Sequence, residues 1–540
     1  MFVRSQRLKG EYRIAVMICH SVRQGKKVSK KTRKYFGVAR NEKELAALRG
    51  QAQLELRQLK ISKLEKLPPP LLWEEAREER RIVEGFHDIF GVIFDRLGLV
   101  PLFSRLRYHQ LRDVVIARVA MPSSKCRAAT LLTQNYSRPL SEDQIYRLMD
   151  RVQPHVDTIK GKILEATRHM AQQQKIDLLF FDVTTLYFES QKPDELRDFG
   201  YSKDHKIGET QVVLALATTS DGLPIGYSLF SGKTAEVKTL LHCLNEWRKI
   251  TEIRDVVVIA DRAMMSADNL QEMERQNIRY VVAAKLKQFA GKIKTQILAR
   301  HEESTMQVGE EQIFAKEHTI DGRRLIVSYS NSRALKDRSD RERLLSRLQK
   351  KVSGETNPRA LVTNRGYLKF LDEKEKGKVV LNEQKIAEDS RWDGLHGIIT
   401  NDLFSSAEEL LARYRQLWVI EESFRINKHT LAMRPIYHFK QERIQVHVLI
   451  CYLAFALSRY AQQQLKNYGT PMSVESIRHT LSQVEASIVR SRDQVYRMPS
   501  KIRTEAGAIY RAFGINRSMK TTLMEEKKCG VTQKIQPVVC

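Results

Sequence analysis

Three side chains recur at seven-residue intervals around residue 420: Tyr414, Glu421 and Lys428. Seven residues are close to two turns of a helix, so these side chains would share one face, drifting only about 20° per step. Glu422 would lie about 100° further round the helix, so the spacing favours Glu421. A carboxylate held between a tyrosine and several cations on one helix face indicates a functional site. The structural alternative is a surface ion pair between Glu421 and Arg425 beside an apolar core stripe.

Two aspartates lie in segments that are otherwise apolar. Asp182 stands inside "IDLLFFDVTTLYFES", where a carboxylate is costly unless it has a partner or binds a metal. Asp261 ends "VVVIAD", and the carboxyl ends of parallel strands are where α/β folds place their sites. As structural alternatives, Asp182 could cap a strand bulge, and Asp261 could cap the helix that follows. Two such acids on neighbouring strands favour a shared site.

Three carboxylates that converge at the edge of a sheet can hold two divalent cations about 4 Å apart. Oxygen ligands suit Mg²⁺ or Mn²⁺. Such ions would activate a water or a 3′-hydroxyl and stabilise the leaving oxygen in an in-line displacement at a phosphodiester. We therefore predict that Asp182, Asp261 and Glu421 are catalytic and ligate the metal. Because no covalent enzyme intermediate is required, we interpret Tyr414 as a phosphate contact and not as a nucleophile.

The apolar pattern around these acids predicts a mixed sheet with helices on both faces. From residue 176 onward, three strands are followed by a helix, a strand, a second helix and a further strand. Three strands in a meander followed by this alternation is the order of the RNase H-like fold. A further strand, "DGLHGIITN", precedes the segment "SSAEELLARYRQLWVIEESFRINKH", which predicts one long helix. That helix would return Glu421 to the two aspartates.

The chain divides into six regions by composition and periodicity, with an overall α/β fold class. An RNase H-like catalytic domain is interrupted by a β-rich insertion, and a small N-terminal α+β domain and a helical domain precede it. The regions are a basic α+β domain (1–70), a helical domain (71–174), the first part of the catalytic domain (175–288), the β-rich insertion (289–392), the second part of the catalytic domain (393–460) and a basic helical C-terminal region (461–540).

The charge balance indicates a polyanionic partner. The chain has 92 Lys and Arg against 64 Asp and Glu, a formal net charge of +28. A surplus of this size suits nucleic acid, whose phosphates release counterions on binding; the alternative is a basic, soluble surface. Between Arg23 and Lys34 seven residues are basic and none is acidic. This stretch is either a DNA-backbone contact or a solvated hairpin.

The six cysteines and the apolar runs argue against secretion and membrane insertion. The cysteines are scattered without metal-ligand spacing, which favours reduced thiols in an intracellular protein. The N-terminal segment has no apolar run of the secretory type. The longest apolar run, "VLICYLAFAL" at 448–457, is too short to span a bilayer and predicts a buried helix.

Taken in order, these segments resemble the DDE transposases of bacterial insertion sequences. The resemblance is to the group whose glutamate lies in a Tyr-x2-Arg-x3-Glu-x6-Lys signature and follows a β-rich insertion. Tyr414, Glu421 and Lys428 match that spacing, and Leu417 occupies the arginine position. The segments "FFDVTTLYFES", "GYSKDHK", "VVIADRA" and "IEESFRINKHTLAMRPIYH" carry the rest of the resemblance, which covers roughly 175–460.

Candidate DNA contacts accompany the three acids. Arg415 or Arg425 could substitute for the arginine that Leu417 replaces. The predicted DNA contacts lie beside the glutamate, in two of the motif segments and in the N-terminal basic stretch: Tyr414, Arg415, Arg425, Lys428, Lys203, Arg262, Lys26, Lys27, Lys30 and Lys31.

The resemblance implies cut-and-paste chemistry. The protein would bind the terminal inverted repeats of its element, release a 3′-hydroxyl, cleave the second strand and join the 3′ ends to target DNA. It would use Mg²⁺ or Mn²⁺ and act as a homodimer or higher oligomer on double-stranded DNA. It would work at the nucleoid of the bacterial cytoplasm, without a membrane partner.

Two other classes of function stay open. One is an RNase H-like nuclease that cuts DNA without strand transfer. The other is a non-catalytic DNA-binding protein derived from a transposase. The second predicts a broken acidic triad, and the presence of Asp182, Asp261 and Glu421 counts against it.

Overall fold

The structure is a computed structural model that describes most of the chain. The described residues are 2–8, 13–24, 27–64, 75–171, 178–189, 192–200, 208–235, 238–250, 257–260, 266–299, 304–308, 311–354, 366–373 and 379–524. The chain forms two compact units. One comprises residues 1–81, 486–500 and 518–540, and the other comprises 82–485 and 501–517.

The N-terminal segment forms a three-stranded antiparallel meander and a helix. Strands β1 (Phe2–Arg7), β2 (Ile14–Gln24) and β3 (Lys27–Ala39) pair in that order, and α1 (Glu42–Leu64) follows. On β2 the core residues Val16 and Ile18 are two positions apart, so they lie on the same face of the sheet. The buried residues of this small core are Val16, Ile18, Ala39, Leu45 and Ala52.

A strand and five helices precede the central sheet. They are β4 (Arg77–Val83), α2 (Gly85–Asp95), α3 (Arg105–Ala120), α4 (Lys125–Tyr136), α5 (Glu142–Val152) and α6 (Val156–Met170). Helix α5 begins at a capping box, in which Gln144 N donates to Ser141 Oγ at 3.2 Å and Ser141 N donates to Gln144 Oε1 at 2.9 Å. Both bonds satisfy amides that a helix start would otherwise leave unpaired.

The central sheet has the strand order that the sequence predicts. Its first part contains β5 (Leu178–Tyr187), β6 (Gln211–Thr218), β7 (Pro224–Ser231), α7 (Thr239–Ile250), β8 (Val257–Ala260), α8 (Ala267–Arg275) and β9 (Arg279–Ala283). Strands β5, β6 and β7 form an antiparallel meander, whereas β8 is parallel to both β5 and β9. The predicted mixed α/β sheet is confirmed, and its order is consistent with an RNase H-like domain.

The region predicted as a separate insertion contributes strands to the same sheet. Its described elements, together with the strand that follows, are α9 (Gly291–Leu298), β10 (Ser304–Val308), β11 (Glu311–Ile320), β12 (Arg323–Tyr329), α10 (Asn331–Gly354), β13 (Leu371–Glu373), β14 (Val379–Leu381), α11 (Glu383–Ser390) and β15 (Leu395–Thr400). The sheet order is β10-β11-β12-β15-β9-β8-β5-β6-β7. Because β15 pairs with β9 on one side and β12 on the other, β10 to β12 extend the sheet, which differs from the predicted insertion domain.

The two faces of the sheet bury different sets of residues. On β5 and β8, Phe180, Leu186 and Ile259 belong to one core cluster, and Phe181 and Val258 belong to the other. This alternation is the two-residue period of a strand. We call the face bearing the first set the α13 face, after helix α13 (Trp418–Arg425), and the opposite one the α7 face.

The segment around Glu421 is not one continuous helix, which corrects the prediction. It consists of α12 (Ala407–Arg415), α13 (Trp418–Arg425) and a π-helical turn over Ile426–Thr430. Between the helices the backbone forms hydrogen bonds of the 3₁₀ type. Leu417 N donates to Tyr414 O and Ile420 N donates to Leu417 O, each three residues back. Seven-residue spacing therefore does not keep Tyr414 and Lys428 strictly on the face of Glu421.

Helix α14 (Gln441–Asn467) is the central apolar helix. Among the described residues it is the one helix long and apolar enough to cross a membrane, and 94% of its most apolar window is buried inside the protein. Such burial is what a core helix shows, so the prediction of a buried helix over 448–457 is confirmed.

The end of the chain differs from the helical region that the sequence predicts. It contains α15 (Val474–Ser482), β16 (Glu485–Ser491), β17 (Gln494–Pro499), α16 (Thr504–Ala512) and β18 (Thr522–Met524). The strands pair in the order β18-β17-β16-β4. The predicted helices over β4, β16 and β17 are therefore wrong. The partner of β16 is β4, which lies some 400 residues earlier in the chain, outside any local window.

Candidate active site

Asp182 lies on β5, an interior strand of the sheet between β8 and β6. It is half-buried, on the α13 face with Phe180 and Leu186 by strand alternation. Its Oδ1 accepts a hydrogen bond from the backbone N–H of Val183 at 2.7 Å. The preceding residue, Phe181, pairs in parallel with Ala260 of β8. This register places the carboxyl end of β8 at the level of the residue before Asp182, inside β5.

Asp261 and Arg262 lie outside the described residues, directly after the last residue of β8. What the structure describes is the chain up to Ala260, which pairs with the residue immediately before Asp182. The predicted partnership of the two aspartates therefore stays a prediction.

Glu421 lies on a helix that packs against the strand of Asp182. Helix α13 contacts β5, and Ile420 and Phe424 belong to the same core cluster as Phe180. Glu421 stands three residues before Phe424, a spacing that brings side chains to one side of a helix. It is exposed, and it has no ion pair or hydrogen bond among the described residues. A carboxylate in this position is available to a ligand.

Glu422 is held by a buried cation instead. Arg459, on α14, has a side chain only 6% exposed, and its Nη2 lies 2.9 Å from Glu422 Oε2 and 3.1 Å from Ser423 Oγ. Burial lowers the pKa of the Arg459 guanidinium, and the charge of Glu422 opposes that shift. The neighbouring glutamates thus have separate surroundings. Arg459 was not predicted as a functional residue, although a cation that follows the long apolar run of α14 is a signal in the sequence.

The predicted DNA contacts near the glutamate differ in their exposure and in the partners that they already have. Tyr414 is half-buried, with its ring centroid 5.1 Å from that of His396. Arg415 forms an ion pair with Glu311 at 2.9 Å and donates to a backbone carbonyl of β10. The Arg425 side chain is 59% exposed, with Glu422 as a distant partner at 3.6 Å.

The remaining predicted contacts are spread over the chain. Lys428 lies half-buried in the π-helical turn, and Lys30 and Lys31 are exposed on β3. Lys27 begins β3. Lys26 and Lys203 lie outside the described residues.

Leu417 occupies the arginine position of the signature. It packs, partly buried, against the core cluster of the α13 face. A hydrophobic side chain that covers the core at this position cannot serve as a phosphate contact. The signature arginine is therefore replaced here by a residue that packs on the core.

The residues in the described part of the chain do not by themselves complete a metal site. No group of three or more His, Cys, Asp or Glu residues there is arranged to hold a metal ion, and the third acid, Asp261, falls outside that part. The two described acids are carboxylates, the donor type that Mg²⁺ and Mn²⁺ take in proteins.

Comparison with known proteins assigns the family. The family model described as the transposase DDE domain matches residues 173–457, just over half of the 540 residues. No curated protein matches the chain. Transposases with this domain cut DNA and move it, and they generally use divalent metal ions. The matched region begins just before β5 and ends inside α14, so it contains Asp182 and the whole of α13. The chain belongs to the transposase DDE domain family.

Proposed function

We propose that the protein is a DNA transposase that cleaves the terminal inverted repeats of its element and joins the freed 3′-hydroxyls to target DNA by a cut-and-paste route. The observation that carries this proposal is the placement of two acids within the matched region. Asp182 lies on β5, and Glu421 projects from the helix that packs on that strand.

The third acid of the proposed site is Asp261. It follows Ile259 by two residues, an offset that keeps side chains on one face of a strand, and Ile259 belongs to the cluster of the α13 face. The parallel pairing of Phe181 with Ala260 supports a position for Asp261 beside Asp182. All three carboxylates would then share the α13 face.

The three carboxylates fit divalent cations, and we propose two ions of Mg²⁺ or Mn²⁺ as the cofactor. Glu421, with no partner among the described residues, has its carboxylate available as a ligand. When bound, the ions would polarise the phosphodiester and lower the pKa of the attacking water or hydroxyl. The chain's own contribution is to keep three anions together and to hold the DNA against them.

Cations around the acids would hold the DNA phosphates. Arg425 is better placed for this role than Arg415, because Arg415 would first have to leave its ion pair with Glu311. Tyr414 and Lys428, before and after α13, would contact the strand near the scissile bond. We propose that the protein acts as a homodimer or higher oligomer on the DNA, with Lys30 and Lys31 as further backbone contacts.

The test is end cleavage and joining on labelled DNA that carries the ends of the element encoding the protein, with Mg²⁺ or Mn²⁺. We expect cleavage and joining by the wild type, and neither from Asp182→Asn or Glu421→Gln. Asp157→Asn is the matched control, because that aspartate is 83% exposed on α6 and outside the proposed site.

Each other outcome points to a different function. Cleavage by the wild type without a joined product would indicate a nuclease. DNA binding without cleavage by any variant would indicate a non-catalytic DNA-binding protein. Cleavage that survives Asp182→Asn would mean that the active site lies elsewhere.

A further inference from the structure

A cavity of about 350 Å³ lies between the start of α4, helix α5 and the segment that leads into α14. Arg118, Lys125, Arg434 and two histidines contribute to its wall, and none of the described residues that line it carries a carboxylate. Its volume falls at the lower end of the range for small-ligand pockets. The two buried cations of this wall, Arg118 and Lys125, are the groups whose charge needs a partner.

The buried cations of the wall have only neutral partners. Lys125 is 4% exposed, and its Nζ lies 3.1 Å from His447 Nδ1, while His447 Nε2 lies 3.0 Å from the carbonyl oxygen of Met433. Arg118, 5% exposed, donates to the carbonyl of Ala432 at 3.2 Å. These bonds satisfy donors, but they leave the positive charges without an anion, and buried charges are usually paired.

His438 is the wall residue that most clearly lacks a partner. It is 7% exposed, and it makes ring contacts with Tyr146 and His447 but no hydrogen bond among the described residues. Burial, and then the charges of Lys125, Arg443 and Arg118, lower the pKa of its imidazole to about 3. Glu142 interacts with Cys126 and Tyr146 at the edge of the cavity, but neither Lys125 nor Arg118 has a carboxylate partner among the described residues.

We propose that this cavity binds a phosphate group. The guanidinium and ammonium groups would form charge-assisted hydrogen bonds to its oxygens, and His438 would supply a further polar contact. Ser123 and Ser124, at the N-terminus of the twelve-residue helix α4, also line the cavity. The partial positive charge of a helix N-terminus favours the same ligand.

A backbone phosphate of DNA is the favoured source, and this step rests on the proposed function. The segment that borders the cavity is tied to the end of β5, because Ile436 N donates to Tyr187 O at 3.3 Å and the Arg434 guanidinium lies 5.4 Å from the Tyr187 ring centre. Tyr187 is five residues after Asp182, about 17 Å along a strand. That span corresponds to about five nucleotides of a duplex.

The first arm of the test uses inorganic phosphate alone at pH 6, where Lys125 is protonated, with chloride at matched ionic strength as reference. Thermal unfolding is followed for the wild type, Lys125→Met and His438→Phe. The second substitution keeps the ring contacts, so the test stands even if Lys125→Met folds poorly. Lys162→Met, at a partly exposed lysine of α6, is the control. We expect phosphate to raise the Tm of the wild type and the control by about 1–3 °C, and to raise that of the two cavity variants much less. An equal rise in all four proteins would overturn the proposal.

The second arm identifies the source of the phosphate. Duplexes carrying an element end, each with one neutral methylphosphonate, are scanned for binding to the wild type and to His438→Phe and Lys125→Met. We expect one position about five nucleotides from the cleavage site to weaken wild-type binding about tenfold and the variants little. A positive first arm without such a position would assign the site to a free phosphate compound. Because the first arm needs neither DNA nor cleavage, its failure is distinguishable from failure of the proposed transposase activity.

Discussion

At the scale of single residues, the neighbouring glutamates of α13 have different surroundings. Glu421 is exposed and has no partner among the described residues, whereas Glu422 neutralises the buried Arg459. A carboxylate that forms a structural ion pair is a poor choice of metal ligand, since binding a metal would leave the cation uncompensated. We therefore expect Glu421 to act in catalysis and Glu422 to stabilise the fold.

Substitution of each glutamate by glutamine tests that separation. Glu421→Gln should abolish end cleavage and leave the thermal unfolding curve nearly unchanged. Glu422→Gln should lower the free energy of unfolding by about 2 kcal/mol, because it leaves Arg459 without its anion, and should retain cleavage below its lowered Tm. Cleavage assays and thermal unfolding of both variants measure the two effects. The reverse pattern would show that Glu422 is the catalytic acid.

Lys125 links stability to pH. Burial, and then the charge of Arg118, lower the pKa of its ammonium to about 7, while Cys451 opposes the shift; His447 faces it as a hydrogen-bond partner. Between that value and the ordinary value of 10.5, the unfolded chain holds a proton that the folded chain has lost. For this group, the free energy of unfolding therefore increases as pH rises through the window.

The prediction is a difference between two proteins. From pH 7 to pH 10, the free energy of unfolding of the wild type should increase relative to that of Lys125→Met, by at most about 4 kcal/mol. Denaturant unfolding at several pH values measures it, and the comparison cancels groups common to both proteins. Parallel pH profiles would show that Lys125 keeps its proton in the folded state.

At the scale of elements, helix α2 depends on a close approach that a single methyl group would block. A Cβ at Gly85 would lie 2.5 Å from the backbone oxygen of Leu481 and 2.9 Å from the Val484 side chain. A Cβ at Gly91, in the same helix, would meet nothing within 4 Å. The backbone oxygen cannot rotate away as a side chain can, so the two positions should respond oppositely.

Gly85→Ala should destabilise the protein by about 2–3 kcal/mol through overpacking. Gly91→Ala should stabilise it by about 0.5–1 kcal/mol, because alanine restricts the unfolded chain and favours the helix. Denaturant unfolding of both variants gives the two signs in one experiment. A loss of stability in both would mean that α2 is closely packed along its whole length.

At the scale of the whole molecule, the net charge of +28 governs association with DNA. Each phosphate contact adds about 0.9 to the slope of log K against log salt concentration. Lys30 and Lys31 are exposed neighbours on β3, and Lys350 and Lys351 are exposed neighbours on α10, outside the predicted contacts. The two pairs carry equal charge. Comparing their replacement therefore distinguishes direct phosphate contacts from attraction by the net charge of the protein.

Replacing Lys30 and Lys31 together by glutamine should reduce the salt slope of DNA binding by about 2. The same change at Lys350 and Lys351 should reduce it much less. Affinity measured at four or more salt concentrations gives both slopes. Equal reductions would show that the N-terminal sheet attracts DNA only through net charge.

The sequence by itself determined features whose physics is local. Strand and helix periods predicted the order from β5 to β9, and the acids in apolar segments indicated the family's chemistry. The tertiary structure alone decided which long-range partners meet. It paired β4 with β16, joined β10–β12 to the central sheet, tightened the chain before α13 and placed Lys125 against His447. These outcomes depend on backbone groups and charges that are distant in sequence, whose pairing follows from burial in the folded chain and leaves no periodic signal.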